Sequence, residues 1–357
     1  MTADALPPST HMHYQPLGRT GVQVSRLCLG TMMFGRNGNP DAADCERIIH
    51  AALDAGINIV DTADVYGPQG ETEQIIGRAL AGGRRANVVL ATKAHFPMGA
   101  DRNMRGNSRR WLRMAVEGSL RRLGTDWIDL YQVHRPDPAC DIDETLGALS
   151  DLVREGKLRM IGSSSFPAWQ MVEAQWTSER RHRERFATEQ AQYSILARGI
   201  EAEVLPACAQ YGLGMLAWSP LAGGWLAGKM RRGQAPASDW RTRFNPRRFD
   251  TRSPEGERKL AIVEALEGLA REAGMTPVEL ALRFVLEHPG VTSAIIGPRT
   301  MEQLQSQLGA AEGRLPADLM DAIDRLVAPG ETVSRADLGY LPPALTDADA
   351  RRRPVDR

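Results

Sequence analysis

Eight short apolar runs, separated by amphipathic helical stretches, predict an α/β fold for this 357-residue chain, of the (β/α)8 TIM barrel class. Three observations carry that prediction. Several of the runs are continuously apolar instead of alternating, as strands buried on both faces of a parallel sheet must be. Each run is followed by a helical pattern or by a loop leading to one. Eight such units in one chain of this length favour a closed barrel over an open sheet. No Pro-rich or Ser-rich linker interrupts the alternation, so residues 14–328 read as a single domain, with 1–13 and 329–357 as terminal extensions.

In order, the strand-like runs are "SRLCLG" (25–30), "INIVDT" (57–62), "NVVLATK" (87–93), "WIDLYQVH" (127–134), "LRMIGSSS" (158–165), "FATEQ" (186–190), "LGMLAWS" (213–219) and "VTSAIIG" (291–297). Between them, "DIDETLGALSDLVREGK" places Ile142, Leu146, Leu149 and Leu152 on one helical face, with Asp141 or Asp143 as a cap. "GERKLAIVEALEGLAREAG" does the same with Val263, Leu266, Leu269 and Ala270, and Gly274 ends it. Two segments depart from the alternation. "YQPLGRTGVQVSRLCLG" reads as a β-hairpin turning at Gly18 to Gly21, a lid over one barrel end. Residues 225–255 form a long polar loop after the seventh strand, and an irregular loop of that length in a compact domain is usually functional.

The composition excludes several classes. Lys plus Arg and Asp plus Glu number 44 each, so no net field draws nucleic acid or an anionic membrane. No apolar run approaches the roughly 20 residues that span a bilayer, and "MTADALPPSTHMH" lacks the charged and apolar regions of a signal peptide. Four scattered cysteines, Cys28, Cys45, Cys140 and Cys208, have no metal-ligand spacing and suit a reducing compartment; no metal is expected, and the default location is cytoplasmic. The charge-rich end "DADARRRPVDR" reads as a mobile tail.

Barrel chemistry sits at the carboxyl ends of the strands. The second run ends on Asp61, the third on Lys93 and the fourth on His134, while Tyr66 lies in the loop leaving Asp61. Each has a plainer reading: Asp61 as a turn cap, Tyr66 covering an apolar edge, Lys93 as a solvated strand end, His134 bonding a loop. Successive parallel strands are usually neighbours, so the four should converge on one mouth. A buried ammonium needs a partner, and Asp61 is the one at hand. The Lys93 charge then lowers the phenol pKa of Tyr66 toward neutrality, with burial opposing. His134 can donate to a substrate oxygen, a contact typically worth roughly 3 kcal/mol where negative charge develops. A general acid beside an oxyanion donor suits protonation of an alkoxide as a carbonyl is reduced. No side chain supplies hydride, so a nicotinamide cofactor is implied. No GxGxxG follows a strand, so the dinucleotide must be held in another way.

On these motifs the sequence resembles the aldo-keto reductase superfamily, from about Tyr14 to Val327. "GINIVDTADVYGPQGETEQIIGRAL" is similar to its aspartate–tyrosine signature, and "ATK" and "YQVHRPD" to the strand ends that carry its lysine and histidine. The resemblance implies a catalytic tetrad of Asp61, Tyr66, Lys93 and His134. It also implies a cofactor site. In "IGSSSF", Ser164 matches the serine that holds the nicotinamide carboxamide, and Ser165 stands where asparagine is usual. Gln190 in "TEQAQYS" matches the glutamine at that carboxamide, and "AWSPLAGG" implies Trp218 stacked on nicotinamide with Ser219, Leu221 and Gly223 near the pyrophosphate. "LGTMMFG" implies Thr31 and Met32 along the nicotinamide half, beside Asp61. "IIGPRTMEQLQSQLGA" resembles the segment at the adenosine end, with Arg299 for a 2′-phosphate and Gln303 and Gln307 nearby; Ser306 and Gln307 replace the family's Glu–Asn pair. Arg299 favours NADPH over NADH.

The expected activity is NADPH-dependent reduction of an aldehyde or ketone, a small-molecule carbonyl substrate, to an alcohol. Two other readings stand beside it: a regulatory subunit resembling the potassium-channel β subunits, and an aldolase-type barrel using Lys93 as a Schiff-base nucleophile. His95, Phe96, Trp127 and the loop around Trp225, Trp240 and Phe244 are candidates for the substrate pocket.

Overall fold

Tyr14–Pro16 (β1) and Gln23–Ser25 (β2) pair antiparallel, and the turn between them needs glycine. Gly18 has φ +58, and a Cβ there would stand 2.5 Å from the Gly214 nitrogen and 2.6 Å from the Gly212 carbonyl oxygen. The hairpin therefore lies against the amino-terminal end of a barrel strand, and Arg19 N donates to the Gly212 carbonyl. Leu17 and Val24 project from it into the same apolar cluster as Cys28, Ile59, Ala91, Leu130, Leu216 and Ile295. The expected lid is thus a plug in the floor of the barrel, leaving the carboxyl end for chemistry. This computed structural model describes residues 12–352 apart from 229, 231 and 234–239. Most of the 1–13 extension, the end of the basic tail and the middle of the long loop lie outside the described residues.

The eight expected runs form a closed parallel barrel in sequence order: Leu27–Gly30 (β3), Ile59–Asp61 (β4), Val89–Ala94 (β5), Ile128–Val133 (β6), Leu158–Ser164 (β7), Phe186–Gln192 (β8), Gly214–Trp218 (β9) and Ser293–Ile296 (β10), with β10 closing on β3. Around it run Ala42–Asp54 (α1), Glu71–Ala79 (α2), Arg109–Leu123 (α3), Ile142–Arg154 (α4), Ala168–Arg181 (α5), Val204–Tyr211 (α6), Trp240–Phe244 (α7), Pro254–Glu272 (α8), Pro277–Glu287 (α9), Met301–Leu308 (α10), Ala317–Leu326 (α11) and Pro343–Thr346 (α12). The helices start where the sequence supplies caps. Asp141 caps α4 by accepting from Asp143 N, which decides between the two aspartates. Thr276 and Glu279 form a reciprocal capping box on α9.

Successive strand residues point to opposite sides. Ile59, Ala91 and Leu130 face the barrel interior, so Asp61, Lys93 and Gln132, two residues further on, face inward as well, one layer higher. The outward residues Val60, Leu90 and Tyr131 pack on the helices in a separate, larger cluster. Period-two geometry thus places a polar layer on top of the apolar plug.

The described residues of the segment after β9 hold more regular structure than a polar loop suggests. Residues 222–227 and 246–249 form short 3-10 turns and α7 lies between them. Trp225 is fully buried, its indole N–H donating to the Arg248 carbonyl at 3.3 Å and its face 4.9 Å from Lys259 Nζ. Beyond residue 328 the chain packs back: Val333, Ser334 and Asp337 are buried, and Asp337 pairs with both Lys259 and Arg248. Among the described residues no helix is long and apolar enough to cross a membrane, and no cluster of metal-binding side chains occurs.

Candidate active site

β4, β5 and β6 end side by side, with Asp61 in register with Ala91 and Lys93 with Gln132. That register brings Lys93 Nζ to 2.6 Å from Asp61 Oδ2, with both side chains almost wholly buried, and the ammonium also donates to the Thr62 carbonyl at 2.8 Å. The other carboxylate oxygen accepts from Gln190 Nε2 at 2.7 Å and from Gln132 Nε2 at 3.1 Å. Burial pulls the Lys93 pKa down, but Asp61 and Tyr66 together outweigh it and the ammonium is held above its usual range. A lysine so held is a poor Schiff-base nucleophile.

Tyr66 and His134 stand over this pair. Lys93 Nζ lies 5.2 Å from the Tyr66 ring centre, and the Tyr66 and His134 rings meet edge to face at 5.9 Å. The phenol pKa is not lowered, as the sequence reading expected, but raised: burial is the largest effect and the Lys93 charge offsets only part of it. His134 is driven the other way. Burial first, then the Lys93 and Arg135 charges, hold its pKa well below the usual histidine value, so the ring is neutral. Its Nδ1 is buried without a hydrogen-bond partner among the described residues. The four expected residues therefore converge, as a protonated phenol, a neutral imidazole and an ion pair beneath them.

Gln132 is a member of this layer that sequence reading missed. The signal was its parity with His134, two residues on and just past the end of β6. Arg135 was likewise passed over. Its guanidinium lies 5.7 Å from the Phe96 ring centre and 5.9 Å from that of Trp218, and Phe96 meets His134 edge to face at 4.9 Å. Of the suggested pocket residues, Phe96 is at the mouth, with His95 against it. Trp127 precedes β6 at the opposite end of the barrel, stacked beneath Arg85 and Arg159, so it lines no pocket at the mouth. Trp225 is core, and Phe244 is 74% exposed. The Trp240 side chain lies outside the described residues.

The expected cofactor residues form an arc around the same mouth. Thr31 N and Oγ1 both donate to the Asp61 carbonyl, and Met32 follows it, partly exposed. Ser164 Oγ donates to the Gln190 carbonyl at 3.0 Å. Ser165 adopts φ 58, a left-handed conformation that favours asparagine or glycine, and its hydroxyl is buried without a partner. Gln190 gives its amide nitrogen to Asp61 and Gln132, leaving the amide oxygen as an acceptor. Trp218 ends β9, partly exposed. After it Ser219 and Ala222 also have positive φ, as do Gly223 and Gly224, and Arg248 Nη2 donates to Ser219 Oγ at 3.1 Å. Strained backbone of this kind gathers at ligand sites. Leu221 is partly buried beside this turn. At the far end Gln303 Oε1 accepts from Arg299 N at 2.9 Å, so that side chain caps the start of α10. Gln307 is buried with its Oε1 unpartnered, and Ser306 is exposed.

These residues fit a dinucleotide. An aromatic face, a buried hydroxyl with nothing to bond and a glycine-rich turn of left-handed residues beside a guanidinium are what a stacked amide ring and its phosphates require.

Comparison with known proteins gives the family. The model of the Aldo/keto reductase family matches residues 26–328. The chain is 43% identical over 318 residues, 87% of its length and 94% of the relative's, to the uncharacterized oxidoreductase YrpG of Bacillus subtilis. It is 35% identical over 299 residues to the aldo-keto reductase YhdN of the same organism, covering 83% of this chain and 87% of the relative. A putative voltage-gated potassium channel subunit beta of Schizosaccharomyces pombe is 32% identical over 332 residues, covering 89% and 96%.

Proposed function

The chain belongs to the aldo/keto reductase family, and from that membership we propose an NADPH-dependent oxidoreductase that reduces an aldehyde or ketone to its alcohol, with Asp61, Tyr66, Lys93 and His134 as catalytic tetrad and residues 14–328 as one domain. The observation that carries this reading is the buried Lys93–Asp61 pair at 2.6 Å, set beneath the Tyr66 ring.

A reduced nicotinamide, when bound, supplies the hydride. Trp218 would offer its face to that ring, and the Ser165 hydroxyl, the Ser164 oxygen and the Gln190 amide oxygen would take the carboxamide. Arg248 and Ser219 would meet the pyrophosphate, and Arg299 the 2′-phosphate. Thr31, Met32, Leu221 and Gly223 would shape the groove, and Gln303 and Gln307 its adenosine end. The neutral His134 donates an N–H to the carbonyl oxygen and orients it. Tyr66 holds its proton in the resting site and gives it to the oxygen as negative charge develops. The phenolate left behind is stabilised by the Lys93 ammonium, which Asp61 keeps charged and pointed at the ring. Gln132 and Gln190 fix the Asp61 carboxylate in place.

Two measurements test this. Tyr66→Phe is expected to lower the reduction rate about a hundredfold to ten-thousandfold with NADPH binding nearly intact; a variant that reduced carbonyls at the original rate would remove Tyr66 as the acid. Arg299→Ala is expected to weaken NADPH more than NADH, and equal losses would rule out a 2′-phosphate contact. Turnover of a simple aldehyde with NADPH also separates an enzyme from a purely regulatory subunit of the kind one relative's name describes.

A further inference from the structure

Arg135 is a cation at the site to which the reaction above assigns no role. Its Nη1 donates to the His134 carbonyl at 2.6 Å and its guanidinium carbon lies 5.7 Å from the Phe96 ring centre and 5.9 Å from that of Trp218, yet no carboxylate among the described residues forms an ion pair with it. The acidic groups nearby in the chain or field are engaged. Glu189 accepts from the Ser163 hydroxyl at 2.5 Å and from Phe166 N at 3.2 Å, and burial pushes its carboxyl up to about 8, so it is mostly uncharged at neutral pH. The two oxygens of Asp137 take the backbone N–H groups of Asn107 and Ala139. Arg135 therefore has no direct ion-pair partner among the described residues, although Glu189 and Tyr66 act on its charge through space, and it stands one residue from His134.

We propose that Arg135 is a specificity residue that binds a carboxylate carried by the carbonyl substrate, so that the preferred substrates are oxo acids. The inference rests on the reductase reading above and names its substrate class. A guanidinium withdrawn from water calls for an anion, and its planar fork matches a carboxylate in geometry as well as charge. The two aromatic faces hold that fork at the mouth and leave its other N–H groups for a ligand. Phe96 lies 5.7 Å from the Arg135 guanidinium and 4.9 Å from the His134 ring, so an anion bound at Arg135 shares the mouth with the carbonyl.

The test compares 4-carboxybenzaldehyde with its methyl ester in the full chain with NADPH. The expected kcat/KM favours the acid by about tenfold or more, the ratio falls to near one in Arg135→Gln, and Arg135→Lys restores part of it. In the unaltered protein the acid's KM should also rise with added salt while the ester's does not, a readout that needs no variant to fold. An ester used as well as the acid, or a ratio unmoved in Arg135→Gln, overturns the proposal. If neither aldehyde is reduced, the reductase reading is what fails. Calorimetric titration of benzoate into protein saturated with NADP+ then still decides Arg135: binding weakened about tenfold in Arg135→Gln supports it, and equal binding overturns it. Loss of NADP+ affinity by the same factor also overturns it, because the cation would then serve the cofactor.

Discussion

A phenol beside an ammonium is pulled in two directions, and at Tyr66 burial is the stronger. Sequence order shows which groups meet but not how much water they keep, so the expected downward shift became an upward one. The correction suits a general acid, because a phenol that keeps its proton is always ready to give it. Reduction is therefore expected to stay level from about pH 6 to about pH 9 and to fall only above the ordinary tyrosine range near 10; a decline centred near neutrality, in a titration of kcat against pH, would contradict this. Glu189 offers a second test at this scale. Its folded pKa of about 8 lies above the ordinary carboxyl value, so the stability tied to its proton is complete in mild acid and is lost as pH rises toward 8. Glu189→Gln keeps the contacts to Ser163 and Phe166 without the charge. Its melting temperature should rise relative to the unaltered protein between pH 5 and pH 8, by the equivalent of about 2 kcal/mol or more.

Among the elements, the hairpin of β1 and β2 depends most on a single residue. Gly18 adopts a left-handed conformation and sits against the backbone of Gly212 and Gly214, which cannot move without shifting β9. Gly18→Ala is expected to cost about 2 kcal/mol or more in urea denaturation, whereas Gly21→Ala, which meets nothing within 4 Å, costs only its conformational strain. Equal effects would show that the plug is not held by that contact. The loop after β9 teaches the opposite lesson. Its polar composition concealed two anchors, Trp225 and Phe249, which pack against Lys259 of α8 and Arg248, the two cations that Asp337 pairs with from beyond residue 328.

For the molecule as a whole, the polar layer ties the barrel together from four sides: β4 gives Asp61, β5 Lys93, β6 Gln132 and β8 Gln190. Asp61→Asn would leave a buried ammonium facing neutral groups, and about 3–5 kcal/mol of stability should go with it. Because the folded Lys93 pKa is raised, the pair's contribution is intact below the ordinary lysine range and lost only as pH climbs through the raised value. Equilibrium unfolding at pH 7 and above pH 10 checks both points: a large deficit for Asp61→Asn at pH 7 that shrinks in strong base. The barrel itself, its strand order and the convergence of Asp61, Tyr66, Lys93 and His134 were determined by sequence alone, because hydrophobic runs, helix periodicity and the neighbour rule for parallel strands are local or nearly local properties. Only the tertiary structure decided the sign of the Tyr66 shift, the removal of Trp127 and Trp225 from the mouth, the part played by Gln132 and the placement of Arg135 beside Phe96 and Trp218. Each of these depends on burial and on partners brought from distant strands, and a one-dimensional pattern carries neither.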